Sequence, residues 1–145
     1  MNREILFRGK DGLGLWVEGF VIQDDFSGNI DANKLSSMMA YVLVGGKIGI
    51  ISVHSKTVGQ FTGYRDKNRV KIFDGDILKS NLKSVQKVIR KPFVVVWDND
   101  SCTYKVKVFL KNKKAPLFRS ITLMSLKSLE VIGNIHDNPE LLDAK

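Results

Sequence analysis

The sequence predicts a mainly β fold of the β-rich α+β kind, in which short strands form a small SH3-like barrel with minor helices. Three observations favour this class. The chain has 145 residues, 43% of them hydrophobic and 26% charged, which suffices for one domain with a buried core. Short β-prone runs recur along the chain between turn residues. Helical patterns are few and short.

The chain is therefore expected to be a single domain with three regions. An N-terminal hairpin region covers about 1–56, a barrel-like region about 57–135, and a C-terminal helix about 138–144. The first two β-prone runs, 3–8 and 15–22, are separated by a glycine cluster that predicts a hairpin turn.

The next elements are also extended runs between turns. Residues 24–33 are polar and rich in turn formers, and two strands are predicted at 39–44 and 47–53, joined at Gly45 and Gly46. A further extended run covers 57–62. After a polar turn, Ile72 and Phe73 read as strand residues, Asp74 and Gly75 as a tight turn, and Ile77 as the start of a new strand.

Residues 80–91 are compatible with a helix and with a strand. Ser80 is a candidate cap, Pro92 a stop, and apolar side chains such as Val85 and Ile89 recur on one helical face opposite lysine and arginine. Val, Ile and alternating Lys also suit a strand. The sequence leaves both alternatives open.

The last third of the chain predicts a second hairpin and short helices. Residues 93–97 are an apolar run of strand length, 98–101 are turn residues, and 104–109 alternate with period two. The remaining elements are a basic loop at 111–116, a short helix at 121–129, a strand at 130–135 and a terminal helix that Asn138, Pro139 and Glu140 begin.

Positive charge is concentrated in the middle of the chain. The formal net charge is +8. Residues 79–127, here called the basic section, carry twelve Lys or Arg and two Asp or Glu, whereas residues 1–78 carry ten and nine and residues 128–145 carry one and four. This pattern indicates either an electropositive binding face or solvated side chains on β elements.

Aromatic residues lie among the cations of the basic section, a mixture typical of small barrels that bind single-stranded nucleic acid. In the 104–109 run, Tyr104, Val106 and Val108 share one face, and the other face carries Phe109 beside two lysines. The candidate nucleic-acid-binding residues are Lys105, Lys107, Phe109, Lys111, Lys113, Lys114 and Arg119.

Motifs for chemistry are weak. The glycine clusters lack the spacing of phosphate loops, and the Asp98-Asn99-Asp100 run lacks the glycine and the glutamate of a calcium loop. Two histidines and the single Cys102 cannot form a structural zinc set. We therefore expect no catalytic residues, no metal and no cofactor.

The cellular setting is expected to be the cytoplasm. One cysteine fits a reducing compartment, and neither a secretory signal nor an apolar run of membrane-spanning length is present. No membrane partner is expected.

Three segments together resemble the YopX family of small phage and prophage proteins. They are 3–11 with 16–20, the block from 57–63 through 66–68 to 72–78, and 131–142. After Lys67 and Asn68 the family commonly has glycine, whereas this chain has Arg69. The resemblance implies a phage-encoded accessory protein with a β-rich fold and supplies no catalytic residues.

The functional hypothesis is a non-enzymatic phage accessory protein that acts in the cytoplasm of the bacterial host through binding, with nucleic acid as a partner through the basic section. The alternative is a protein-interaction module that assembles with itself or binds an acidic host or phage protein. An enzyme is the third reading. The glycines and the Asn138-Pro139 pair of the resembling segments are read as scaffolding.

Overall fold

The computed structural model describes residues 2–23 and 35–143. The polar segment predicted at 24–33 lies outside these described residues. The chain divides into two compact units, Met1–Phe61 and Thr62–Lys145, here called unit 1 and unit 2. In the part of the chain that the structure describes, no helix is long and apolar enough to cross a membrane.

Unit 1 is built from antiparallel strands. They are β1 (Phe7–Lys10), β2 (Trp16–Gln23), β3 (Leu35–Val42), β4 (Ile48–His54) and the first half of β5 (Gly59–Arg65). Their order in the sheet is β4-β3-β2-β1-β5. The predicted hairpin turns are present at residues 11–14, where the Asp11 carboxylate accepts the amides of Leu13 and Leu15, and at Gly45 and Gly46.

Two glycines in unit 1 allow close backbone packing. A Cβ at Gly9 would lie 3.0 Å from Val53 Cγ2 and 3.1 Å from Met39 Sδ, and Met39 and Val53 are both fully buried. A Cβ at Gly19 would lie 2.0 Å from the carbonyl oxygen of Ala40. The strands therefore curl over a small core that leaves no room for side chains at these positions.

Unit 2 contains the second half of β5 with its neighbour β6 (Lys71–Phe73), and a five-stranded antiparallel sheet. The strands of this sheet are β7 (Asp76–Ser80), β8 (Phe93–Asp98), β9 (Thr103–Val108), β10 (Leu117–Ser120) and β11 (Leu129–Asn134), in the order β10-β9-β8-β7-β11. Its buried core is the cluster Ile72, Leu78, Phe93, Val95, Tyr104, Val106, Val108, Ile121 and Leu129.

Buried carboxylates hold the turns of unit 2. Asp66 accepts the amides of Asn68 and Val70 with one oxygen and the amide of Val131 with the other, at 2.8, 3.0 and 2.9 Å. Asp76 accepts the amide of Phe73 at 2.8 Å. These bonds satisfy backbone groups that the strands leave unpaired.

The helices are shorter than predicted. Residues 80–91 form α1 (Lys83–Val88) and then an extended segment in which Ile89 bridges Leu110, so each alternative describes part of this stretch. The helix predicted at 121–129 is two 3-10 turns, Ile121–Leu123 and Leu126–Ser128, and the terminal helix is a 3-10 turn at Pro139–Leu142.

A side-chain hydroxyl accounts for the 3-10 turn directly before β11. The Ser128 hydroxyl donates to the carbonyl oxygen of Ser125 at 2.7 Å, and the Ser128 amide donates to the same oxygen at 2.9 Å. Serine side chains that bond nearby carbonyls compete with a continuing α-helix. The sequence also failed to predict β10, which pairs with β9.

The fold is mainly β, as predicted. The predicted barrel is wrong: the described residues form two antiparallel sheets, and neither sheet closes into a barrel. The end strands of the second sheet, β10 and β11, do not pair with each other. In unit 1 a single bridge, Asp11 with Val53, joins the end of β1 to β4. A closed barrel needs a continuous ladder between its first and last strands.

Candidate functional site

Strand β9 presents two different faces. Its burial alternates residue by residue, with Tyr104 and Val106 buried and Lys105 and Lys107 half-buried. This alternation follows from the geometry of a strand and confirms the predicted division of its faces. Phe109 follows β9 directly and is half-buried.

Three cations surround the Phe109 ring. The Nζ atoms of Lys107 and Lys91 lie 5.5 and 5.6 Å from the ring centroid, and the Cζ atom of Arg90 lies 6.0 Å from it. A cation within about 6 Å of an aromatic face is attracted by its negative potential, by about 0.5–1 kcal/mol at exposed sites. Arg90, Lys91, Lys107 and Phe109 are here called the Phe109 cluster.

Backbone contacts between distant segments create this cluster. The segment after α1 lies against the segment after β9, because Ile89 bridges Leu110 and the Arg90 amide donates to the Phe109 carbonyl oxygen at 2.8 Å. This pairing brings Arg90 and Lys91 to a ring far along the chain. Sequence analysis missed both cations as site residues, since only the pairing shows that they neighbour Phe109.

The basic loop after Phe109 is fixed to the same segment. The Arg90 guanidinium donates to the carbonyl oxygen of Lys114 at 2.9 Å, and the Lys113 amide donates to that of Leu110 at 3.3 Å. The side chains of Lys111, Lys113 and Lys114 are exposed. Their charges therefore extend the Phe109 cluster into solvent.

A shallow groove adjoins the cluster and shares two of its cations. Its lining residues are Lys79, Gln86, Ile89, Arg90, Lys91 and Pro92. The Gln86 side chain donates to the carbonyl oxygen of Ser80 at 2.8 Å, which fixes this wall of the groove. Cations with an apolar floor suit an anionic ligand that also carries apolar surface.

Lys105 is engaged by an acid. It forms an ion pair with Asp98, whose carboxylate also accepts the hydroxyl of Ser101. Hydrogen bonds from Lys105 and then from Ser101 lower the pKa of Asp98 from 3.8 to about 2. At neutral pH the charge of Lys105 is therefore balanced locally.

Arg119 lies on the other side of the sheet. In the register between β10 and β9, Phe118 is opposite Lys107 and Arg119 is opposite the buried Val106. Directly paired residues share a face, so Arg119 and Lys107 project from opposite faces. The structure thus brings Lys107 and Phe109 together and adds the exposed loop lysines. Lys105 lies on the same face as Lys107 but is paired with Asp98, and Arg119 lies on the opposite face.

A second cation and aromatic contact lies in unit 1. The Cζ atom of Arg8 lies 4.5 Å and the Nζ atom of Lys10 5.5 Å from the Trp16 ring centroid. Arg8 is directly opposite Glu18 in the strand pairing. An acid at this position makes the surface less attractive to an anion than the basic section, where acids are scarce.

The acids and the cysteine have structural surroundings. Asp11, Asp66 and Asp76 accept backbone amides, as described above. Cys102 is exposed, and its thiol donates to the carbonyl oxygen of Asn99 at 3.4 Å. Among the described residues, no group of three or more His, Cys, Asp or Glu side chains is placed to hold a metal ion.

The fold and the site define a small mainly β protein with a basic surface in unit 2. The model of the family described as YopX protein matches residues 20–143, and the chain belongs to this family. The solved structure titled "Crystal structure of protein EF1440 from Enterococcus faecalis" is similar, with 23% sequence identity, a TM-score of 0.50, and coverage of 97% of this chain and 99% of that chain. No curated protein matches the chain significantly.

Segments that resemble the family serve the scaffold here. A Cβ at Gly133 would lie 2.5 Å from Asn138 Oδ1, and the Asn134 side chain accepts the amides of His136 and Asp137 at 3.0 and 2.9 Å. Gly75 has φ 84°, a conformation that favours glycine. These contacts support the prediction that the motif residues maintain the fold.

Proposed function

We propose that this protein is a non-enzymatic accessory protein of phage or prophage origin that binds nucleic acid through the Phe109 cluster. The observation that carries the proposal is the placement of three cations around one half-buried ring, with three exposed loop lysines beside them. Lysine and arginine in this arrangement neutralise phosphates, which dominate the affinity of proteins for nucleic acid.

The location of acids supports an anionic ligand. The basic section contains only two acids, Asp98 and Asp100, and Asp98 is paired with Lys105. The Phe109 cluster therefore keeps its positive charge. The cation contacts of the Phe109 ring favour a role in holding the cations toward phosphates over a role in stacking bases.

Binding of a labelled duplex at increasing salt tests the proposal. With about four phosphate contacts, affinity is expected to fall on the order of a hundredfold between about 50 and about 200 mM monovalent salt, because each contact releases condensed counterion. Replacing Lys91 and Lys107 by glutamine should lower the log–log slope by roughly two. No detectable duplex binding at about 50 mM salt would refute the proposal.

The matched control changes the same number of charges elsewhere. Arg3 and Lys56 are exposed cations of unit 1, and replacing both by glutamine should leave the slope unchanged. Equal effects of the two double variants would show that binding follows net charge and not the Phe109 cluster. Phe109→Leu, which keeps apolar volume without the π face, should weaken duplex binding several-fold.

A second candidate function is a protein-interaction module. The observation that favours it is an apolar surface of unit 1 that includes Val44, the most exposed large hydrophobic residue among those described. This surface is independent of the Phe109 cluster.

A further inference from the structure

The outer face of the unit 1 sheet carries a cluster of exposed apolar side chains on β2, β3 and β4, and the charged pair of Arg8 and Glu18 follows on the same face toward β1. Phe20 is opposite Ala40, Ala40 is opposite Ile50, and Val42 is opposite Ile48, so these side chains share one face. Phe20, Val42, Ile48 and Ile50 are 55%, 63%, 65% and 62% exposed. The opposite face carries the buried core residue Met39.

The tip of the β3–β4 hairpin continues this surface. Leu43 and Val44 are 42% and 104% exposed. The turn is closed by hydrogen bonds from the Leu43 amide to Lys47 and from the Gly46 amide to Leu43, at 2.7 and 3.0 Å. Because these bonds fix the turn, the apolar side chains at the tip are held in solvent by a defined backbone.

The hairpin extends past its neighbouring strand. Pairing of β3 with β4 reaches Val42 and Ile48, whereas the described pairing of β3 with β2 reaches Ala40. The Tyr41 ring supports this extension, since a Cβ at Gly49 would lie 2.7 Å from Tyr41 Cζ. Residues 41–50, here called the distal hairpin, therefore form an ordered hairpin end that extends beyond β2.

The scarcity of charged residues in the distal hairpin indicates an apolar partner surface. Lys47 is the only charged residue between positions 37 and 53, in a chain with a formal net charge of +8. An acidic protein or a nucleic acid has almost no charge to pair with here. A second copy of the same surface matches it, because apolar side chains meet apolar side chains while exposed Lys47 at the turn and Glu18 beyond Phe20 lie at the margin of the contact.

The exposed area is close to what a dimer requires. A fully exposed large apolar side chain presents about 150–200 Å² of accessible surface. At the exposures given above, six residues together present roughly 600 Å², which is near the upper end of the largest apolar patches on monomers. They are Phe20, Val42, Leu43, Val44, Ile48 and Ile50. A standard interface buries about 800 Å² on each partner. Strand β4 is the end strand of the sheet order, and its described edge is joined to another segment by the bridge between Val53 and Asp11.

We propose that two copies of this chain dimerise through the distal hairpin and Phe20, in an isologous contact of outer sheet face on outer sheet face. Two β-sheet faces with interdigitating apolar side chains pack about 10 Å apart, which excludes water from both surfaces. The dimer covers the exposed apolar side chains of the β3–β4 hairpin and Phe20.

Sedimentation velocity of the full chain over about a hundredfold range of concentration tests this proposal, because a reversible dimer responds to protomer concentration. The expected species has twice the monomer mass of 16.3 kDa at high concentration. Replacing Ile48 and Ile50 together by lysine should give a monomer, since four like charges would meet across the two-fold axis. Both residues are mostly exposed, so the variant should remain folded, with the melting temperature that the wild type shows at concentrations too low for dimerisation.

Two further variants keep the test decisive. Val44→Ser changes a fully exposed turn residue and should raise the dimer dissociation constant by about tenfold through lost apolar burial. Leu123→Lys is the control: Leu123 is 75% exposed in unit 2, and its replacement should leave the dimer intact. Should the lysine double variant fail to fold, Val44→Ser alone decides.

Three outcomes would overturn the proposal. The first is a wild-type chain that sediments as a monomer at every concentration. The second is a dimer that neither Val44→Ser nor the lysine double variant weakens. The third is a monomer that binds neutral phosphatidylcholine vesicles through Val44, which would assign the surface to lipid.

Discussion

The Phe109 cluster and the distal hairpin differ in how their exposed side chains are held. In the cluster, three cations contact one ring, and Arg90 is also bonded to a loop carbonyl. In the distal hairpin, apolar side chains stand in solvent on a backbone fixed by a glycine turn. The first surface attracts an anion through its charges, whereas the second gains free energy when water is excluded from it.

Because of this difference, salt should affect ligand binding by the two surfaces in different ways. Phosphate binding by cations weakens as salt rises, because counterions compete. Burial of apolar surface is insensitive to such screening and is strengthened by excluded salts such as sulfate. Added salt should therefore release nucleic acid while leaving the dimer in place, so that the two proposals can be tested in one preparation.

Gly19→Ala should lower the free energy of unfolding more than any other substitution considered, because an added Cβ would clash with the backbone of β3, the first strand of the β3–β4 hairpin. Its Cβ would lie 2.0 Å from the Ala40 carbonyl oxygen, so β2 and β3 must separate. We expect a loss of about 3 kcal/mol in the free energy of unfolding, measured by urea denaturation. Gly12→Ala, at an exposed turn glycine without positive φ, is the control and should change stability by less than about 1 kcal/mol. Equal stability of Gly19→Ala and wild type would contradict the close approach of β2 and β3.

Gly75→Val tests the glycine turn that precedes β7 in unit 2. Gly75 has φ 84°, and its Cβ would lie 3.3 Å from Ile135 Cγ1. Strain and contact together should destabilise the fold by roughly 1–3 kcal/mol. Gly63 also has positive φ but no atom within 4 Å of an added Cβ, so Gly63→Val isolates the strain and should cost less. An unchanged melting temperature for Gly75→Val would show that the turn assignment is wrong.

Local patterns predicted most of the β elements. The alternation of residues 104–109 gave the two faces of β9, and the Asp74-Gly75 pair gave a turn before β7, because both depend on neighbouring residues only. The 3-10 turns at 121–128 were predicted as one helix, since apolar spacing does not reveal that serine hydroxyls bond nearby carbonyls.

The candidate site could be predicted only in part, because its geometry depends on strand pairing. Lys107 and Phe109 share a face by period two, but the position of Arg90 beside them requires the bridge between Ile89 and Leu110. The register of β10 likewise decides that Arg119 projects from the opposite face. The spacing of residues within one strand does not identify the partner strand, and both registers depend on that partner.

Arg69→Gly should produce a smaller change of opposite sign. Arg69 has φ 64° at a position where the resembling family commonly has glycine, and its amide donates to the Asp66 carbonyl oxygen at 3.0 Å. Glycine removes strain of about 1 kcal/mol but increases the entropy of the unfolded chain, so we expect a net stabilisation of about 0.5 kcal/mol. Asn68→Gly, without positive φ to relieve, should be destabilising. A loss of stability in Arg69→Gly would contradict the strained turn.

Asp98→Asn has the smallest expected effect and sharpens the boundary of the Phe109 cluster. The folded-state pKa of Asp98 is lowered to about 2 from 3.8, so its contribution to stability is present above about pH 4 and is lost as pH falls toward about 2. The variant should flatten the dependence of stability on pH in that interval, and NMR titration of the wild-type carboxyl should give the low pKa directly.

Because Asp98→Asn also frees Lys105 from its ion pair, the salt slope for duplex binding should steepen by at most about 0.9. Asp100→Asn removes one negative charge from the same turn without touching Lys105 and is the matched control. If both variants steepen the slope equally, general charge accounts for the change; if neither does, Lys105 lies outside the surface that contacts phosphate.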